Sequence, residues 1–245
     1  MASAIRSKFK RFLAALALLS VELLIIWILF FGCIIIFALT AYRIFLLKKD
    51  DLDTAVFNFL ATDVSNRHTE FMEAITFFGN HNFLIPANLV LIIYFLVIRK
   101  HRWYSIKIPV VAIGGVTMMA LLKFVFSRPR PLIPLLEPAR GFSFPSGHAM
   151  MSFSFYGVLI FMVYENVRNQ YLKWGLIIAL LFLIFLIGLS RVYLRVHYAS
   201  DVIAGFAAGF IWVVLSLSIV GRIEKYSKRK IDPELKKAEL ASNLK

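Results

Sequence analysis

Apolar positions along this chain come in long blocks, and polar positions are confined mainly to the gaps between them. Six blocks stand out, over about 21–42, 82–98, 106–126, 149–164, 174–189 and 202–220. A run of about 20 apolar residues crosses the hydrocarbon of a bilayer as a helix, and the shorter blocks are expected to extend into flanking polar sequence. The alternation of a transmembrane barrel, in strands of about 10 residues, is absent. The pattern predicts an all-α fold: an integral-membrane bundle of about six transmembrane helices.

The gap over about 43–81 has a pattern of its own. Leu52, Val56, Phe59 and Leu60, and then Phe71, Ile75 and Phe78, recur at mixed three- and four-residue spacing. This predicts one or two short amphipathic helices, lying at the membrane surface or capping the bundle. In the last block Ala204, Gly205, Ala208 and Gly209 fall at the four-residue spacing that lets helices approach closely, which calls for packing and nothing more.

Composition supports the membrane reading. Of 245 residues, 60% are hydrophobic and 17% charged, against about a quarter charged in soluble domains. Cys33 is the single cysteine, so no disulfide forms within the chain. A net charge of +14 would point to nucleic acid in a soluble protein. Here no nucleic-acid partner is expected, because the basic residues cluster at block ends. Arg6, Lys8, Lys10 and Arg11 precede the first block; Arg99, Lys100, Arg102 and Lys107 join the second and third. Arg168 and Lys173 join the fourth and fifth, and Arg222, Lys225, Lys228, Arg229, Lys230, Lys236, Lys237 and Lys245 follow the sixth. These are 18 of the 28 Lys and Arg, all on one side of a six-span bundle. Such an excess marks the cytoplasmic face, so both termini are expected there. The first block is too long for a signal peptide and reads as an uncleaved span. The expected organisation is one membrane domain over 1–245, with an extracytoplasmic segment at about 43–81 and a basic cytoplasmic tail at 222–245.

Three stretches on the other face carry chemistry: KFVFSRPRP (123–131), FPSGHAM (144–150) and SRVYLRVHYASD (190–201). Lys123, Arg130 and Arg191 are cations at the membrane boundary. One alone would be read as snorkelling to the interface; three at one face suit phosphate oxygens, the arginines as planar forks and the lysine as a point charge. Pro145 and Gly147 shape a turn, and Ser146 is placed to cap the helix after it, whose free N–H groups favour an anion. His197 and Asp201 are four apart and share a face if that segment is helical. The carboxylate then holds one imidazole N–H and leaves the other nitrogen as a nucleophile.

Taken together, K-x6-R-P at Lys123–Pro131, P-S-G-H at Pro145–His148 and S-R-x5-H-x3-D at Ser190–Asp201 resemble the signature of the type 2 phosphatidic acid phosphatase (PAP2) superfamily. All three parts are present, in order. The motifs cover roughly 120–205, and the six-span layout extends the likeness over most of the chain. The resemblance implies a PAP2-like catalytic core and a metal-independent lipid phosphate phosphatase, with no cofactor and no metal ligands. It implies that His197 attacks phosphorus to form a phosphohistidine, and that Asp201 orients it. His148 protonates the leaving oxygen and then activates water. Lys123, Arg130 and Arg191 bind the phosphoryl oxygens, helped by Ser146 and Gly147. The partner is a membrane lipid phosphate in the bilayer: undecaprenyl pyrophosphate, phosphatidylglycerol phosphate, phosphatidic acid or lipid A. Transfer of the phosphoryl group to another acceptor, or anionic-lipid binding and transport without chemistry, are the alternatives. Binding alone does not require the His148–His197–Asp201 set. The expected location is a bacterial inner membrane, with the site on the extracytoplasmic side. His68, His81 and His101 match no motif position. Arg128 and Arg195 neighbour the site, with phosphate or headgroup contact open for both.

Overall fold

The computed structural model describes residues 21–132, 134–135 and 141–231, and among these residues there are helices and no strands. Helix α1 (Val21–Ala41) continues as a π-type turn over Tyr42–Leu46. Two short helices follow, α2 (Asp51–Ala61) and α3 (Asn66–Phe77). Helix α4 (His81–Ile93) is extended by a π-type turn over Tyr94–Ile98. The remaining helices are α5 (Arg102–Phe126), α6 (Gly147–Asn166), α7 (Gln170–Tyr193) and α8 (Ala199–Tyr226), the last prolonged over Ser227–Ile231.

Six helical stretches are long and apolar enough to cross a membrane, and each overlaps one of the predicted blocks. They run past the blocks because the chain places capping groups in the polar flanks. The side chains of Asn80, His101, Ser146 and Asn169 each accept a backbone N–H from the first turn of the helix that follows. Helix α6 is the most buried span and lies against α5, α7 and α8. Helix α8 can approach it because Gly205 and Gly209 face it. A Cβ on Gly205 would lie 2.7 Å from the Ser146 carbonyl oxygen, and one on Gly209 would lie 2.8 Å from that of Met150.

The segment over 43–81 is a cap. Val56, Phe57 and Leu60 of α2 pack on Ala149, Val192, Ala199 and Val202, and Met72 of α3 packs on Tyr193, Leu194 and Val196. Leu52, Phe59 and Phe71, also part of the predicted apolar pattern, stay exposed. The cap covers the end of the bundle where α5 and α7 finish and α6 and α8 begin.

The opposite end collects the described basic residues of the α4–α5 and α6–α7 joints and of the end of α8. There Lys107 pairs with Glu224 (2.9 Å), and the Tyr104 hydroxyl donates to Glu165 (2.7 Å), tying α5 to α8 and α6. The basic residues before 21 and after 231 lie outside the described residues. The first part of the predicted tail, through Ile231, is helical.

Candidate active site

Two local structures build the site. The first is the end of α7. Arg195 has a left-handed backbone (φ 54°). Its N–H donates to the Val192 carbonyl (3.0 Å), while the N–H groups of Val196 and His197 both donate to the Arg191 carbonyl (3.2 Å each). This is the Schellman ending of a helix, with arginine in the place glycine usually takes. It gives the S-R-x5-H spacing a physical cause, since one carbonyl, that of Arg191, holds the amide of His197. The second structure is the start of α6. Ser146 caps it, and the Ser146 N–H donates to the Asp201 carbonyl (2.9 Å). Behind this turn Phe144 is sealed by Phe37, Phe45 and Phe126, whose ring centroids lie 4.9 to 5.7 Å from its own.

Arg130 Nη1 lies 3.2 Å from His197 Nε2 and donates to the Val196 carbonyl (2.8 Å), while its Nε donates to the Gly141 carbonyl (3.0 Å). Arginine only donates, so the contact to Nε2 requires a lone pair there and places the ring proton on Nδ1. That nitrogen faces Asp201 Oδ2 at 3.5 Å and the Ser143 hydroxyl at 3.3 Å. Asp201 Oδ2 also accepts from the Ser143 hydroxyl and from the Tyr198 N–H (3.0 Å). The predicted His–Asp pair is present, but His197 precedes α8 instead of lying on it. The carboxylate reaches back over the helix start to meet it. Burial depresses the pKa of His197 to about 4, with Arg130 and Arg191 adding to the effect and Asp201 opposing it.

The remaining predicted residues lie at the same end. Lys123, in the last turn of α5, donates to the Phe142 carbonyl. A Cβ on Gly147 would lie 3.8 Å from its Cε and 2.8 Å from Met119 Sδ. Arg191, 6% exposed, donates from Nη1 to Thr76 Oγ1 (2.7 Å). Its Nε is buried without a hydrogen-bond partner, as is His148 Nε2. His148 lies within electrostatic reach of Arg191, His197 and Arg130, and of His81 at the start of α4. Buried polar atoms are nearly always partnered in native structures. Two orphaned nitrogens among three cations leave room for the hydrogen bonds of an anion. No group of three or more His, Cys, Asp or Glu is placed to hold a metal ion among the described residues.

Four polar residues at the site carried no motif signal. Ser143 and Ser200 sit close to motif positions in sequence, whereas Asp53 and Thr76 come from the cap, far from every motif. An amphipathic pattern identifies such helices but not which polar side chain turns inward. His68 and His101 are away from the site; each makes local contacts at a helix start.

The crystal structure of a transmembrane PAP2-type phosphatidylglycerolphosphate phosphatase from Bacillus subtilis superposes with a TM-score of 0.72 at 26% identity, covering 79% of this chain and 96% of that one. Phosphatidylglycerophosphatase B of Bacillus subtilis (strain 168) is 30% identical over 65% of this chain and 79% of its own length. Undecaprenyl-diphosphatase BcrC of the same organism is 26% identical over 60% and 74%. A bundle of apolar spans, unpartnered His148 and Arg191 nitrogens at one end and these likenesses define the class: a membrane-embedded phosphatase acting on lipids. Residues 104–225 match the PAP2 superfamily model, and the chain belongs to that superfamily.

Proposed function

We propose that the chain removes a phosphoryl group from a membrane lipid without a metal ion, through a phosphohistidine at His197. The observation that carries this reading is the state of the two histidines. His197 is 2% exposed, and its ring is held between Asp201 at Nδ1 and Arg130 at Nε2. His148 Nε2 is buried without a partner among the same cations.

In the first step His197 Nε2 attacks phosphorus. The bond from phosphorus to the lipid oxygen breaks, and His148 gives that oxygen its proton. In the second step His148 takes a proton from water, whose oxygen attacks phosphorus. The P–N bond breaks and inorganic phosphate leaves. Lys123, Arg130 and Arg191 stabilise the charge spread over the equatorial oxygens, and Ser146 and Gly147 present the start of α6 to the same group. The substrate placed first is phosphatidylglycerol phosphate, on the likeness to phosphatidylglycerophosphatase B in sequence and fold. Undecaprenyl diphosphate comes second.

The direction of the helices supports the topology read from charge. The site and the basic joints lie at opposite ends of the bundle, so the site faces away from the cytoplasm and both termini face it. A bacterial inner membrane fits this arrangement.

The test separates the histidines by leaving group. An alkyl lipid alkoxide needs a proton and a nitrophenolate does not. His148→Ala is expected to abolish turnover of the lipid monophosphate. With nitrophenyl phosphate it should still give a burst stoichiometric with enzyme, followed by a slow phase. His197→Ala should give no burst. EDTA should leave the wild-type rate intact. Equal loss in both variants on both substrates, with no phosphoenzyme, would overturn the division of roles.

A further inference from the structure

Two arginines flank Pro129, and they meet opposite ends of the same His–Asp pair. Arg130 reaches the Nε2 side of His197. Arg128 lies behind Asp201. We propose that Arg128 is a positioning residue, not a phosphate ligand. With Asp53 from the cap it forms a buried carboxylate–guanidinium–carboxylate bridge that aims Asp201 at His197. The proposal rests on His197 and Asp201 acting as described above.

The contacts of Arg128 commit both terminal nitrogens of its guanidinium to acceptors within the protein. Nη1 donates to Asp201 Oδ1 (2.7 Å) and to the Ser200 hydroxyl (2.8 Å), and Nη2 donates to Asp53 Oδ2 (2.8 Å). Its flat face stacks on the Tyr198 ring at 4.0 Å. Asp53 also accepts from the Ser200 N–H (2.8 Å) and the Ser200 hydroxyl (2.7 Å), which fixes α2 to the first turn of α8. Arg128 is 9% exposed, Asp53 2% and Asp201 0%. The pKa of Arg128 is raised: burial opposes its charge, and Asp201 and Asp53 outweigh burial.

The division of oxygens on Asp201 shows what the bridge does. Oδ1 is occupied by Arg128. Oδ2 is left to the Ser143 hydroxyl, the Tyr198 N–H and His197 Nδ1. Removing Arg128 frees Oδ1 and lets the carboxylate rotate, so that Nδ1 loses its fixed partner. Removing the charge of Asp53 releases the far edge of Arg128 and so loosens its hold on Asp201 Oδ1. In either case the effect on chemistry passes through Asp201. A cap helix that looks peripheral in sequence thereby sets the geometry of the nucleophile.

The experiment uses the full chain in detergent, with folded fraction and melting temperature recorded for every variant. Asp53→Asn, Arg128→Lys, Arg128→Gln and the Asp53→Asn/Arg128→Gln pair are assayed on a lipid monophosphate for kcat and KM. Inhibition by inorganic phosphate, the product, is measured as a probe of the phosphate pocket that needs no bond to His197. A shift of about 1 Å in a catalytic group costs on the order of 10²-fold in rate. Arg128→Gln is therefore expected to lower kcat by about that factor, and Asp53→Asn by roughly 10-fold. Inhibition by inorganic phosphate should stay within about 2-fold of wild type in both. Arg128→Lys, which keeps one ion pair but not the bridge, should fall between wild type and Arg128→Gln. The double variant should be no slower than Arg128→Gln, since both changes break one unit.

Inhibition by inorganic phosphate weakened 10-fold or more by Arg128→Gln, with Asp53→Asn fully active, would make Arg128 a phosphate ligand and overturn the proposal. Wild-type kcat per folded molecule in Asp53→Asn and Arg128→Lys, with only the melting temperature lowered, would reduce the bridge to a structural tie and also overturn it. Those two variants carry the test if Arg128→Gln does not fold. His197→Ala is run alongside: retained activity there removes the nucleophile assignment itself, a failure separate from that of the bridge.

Discussion

Gly205→Ala tests whether the joint between α6 and α8 sets catalytic geometry. An added methyl would lie 2.7 Å from the Ser146 carbonyl oxygen, 2.9 Å from Ala149 Cβ and 3.3 Å from the Met150 nitrogen. Two of these three are backbone atoms, so no side chain can turn aside. A carbon normally approaches a carbonyl oxygen no closer than about 3.3 Å, so the helices must part by roughly 0.6 Å at this point. Gly205 is one helical turn beyond Asp201, and Ser146 is hydrogen-bonded to the Asp201 carbonyl. The parting therefore opens between the two halves of the site. Overpacking of this kind costs about 1–3 kcal/mol, and the better helix propensity of alanine returns at most about 1 kcal/mol. Net destabilisation should be about 0–3 kcal/mol, while kcat falls on the order of 10-fold, since about 1 Å of misplacement costs about 10²-fold. The assay is phosphate release from a lipid monophosphate in detergent, with a thermal melt on the same sample. Gly209→Ala meets the Met150 carbonyl oxygen at 2.8 Å but lies a turn further from Asp201, so it should show similar strain and a smaller loss of rate. Gly221→Ala meets nothing within 4 Å and should be neutral or stabilising. Wild-type kcat in a folded Gly205→Ala would refute the reasoning, because the clash would then be absorbed without moving the site.

The other predictions address single groups. Arg191→Lys keeps the charge but loses the fork that holds Thr76 and the unpartnered Nε; kcat should drop by about 10²-fold with the fold intact, and near-normal turnover would make Arg191 a boundary residue only. His197 has a pKa of about 4 in the folded protein, below its value of about 6.5 when exposed, so its imidazole is neutral throughout the physiological range. The rate of phosphoenzyme formation should hold down to about pH 5 and fall toward pH 4, whereas an acid limb attributable to His197 near pH 6.5 would refute its burial. The same shift makes this group's contribution to stability complete above pH 6.5; it is lost as pH falls through about 4, by on the order of 3 kcal/mol. Arg195→Gly relieves a left-handed backbone, so it should raise stability by about 0.5–1 kcal/mol and leave kcat unchanged, while a fall in kcat/KM on lipid phosphates would show that the side chain contacts the headgroup.

The bundle was legible in the chain because hydrocarbon imposes a local rule. Every apolar block must be a helix with its backbone satisfied internally, so length and hydropathy suffice to locate it. The three motifs were legible for a related reason: Lys123, the Ser146–His148 turn, and Arg191 with His197 sit where α5 ends, α6 begins and α7 ends. The spacing within the last motif follows from one helix ending, in which the Arg191 carbonyl holds the His197 amide. Short-range geometry of this kind leaves a fixed interval that a sequence displays. Asp53, Thr76 and the part played by Arg128 left no such interval. Asp53 meets Ser200 from 147 residues away, and Thr76 meets Arg191 from 115. On its own helix each is simply a polar residue in an amphipathic pattern. Nor does the chain show that Arg128 and Arg130, two positions apart, serve opposite ends of one His–Asp pair. Which arginine reaches His197 and which is enclosed by carboxylates depends on how α2 settles over the start of α8, and only the folded protein decides that.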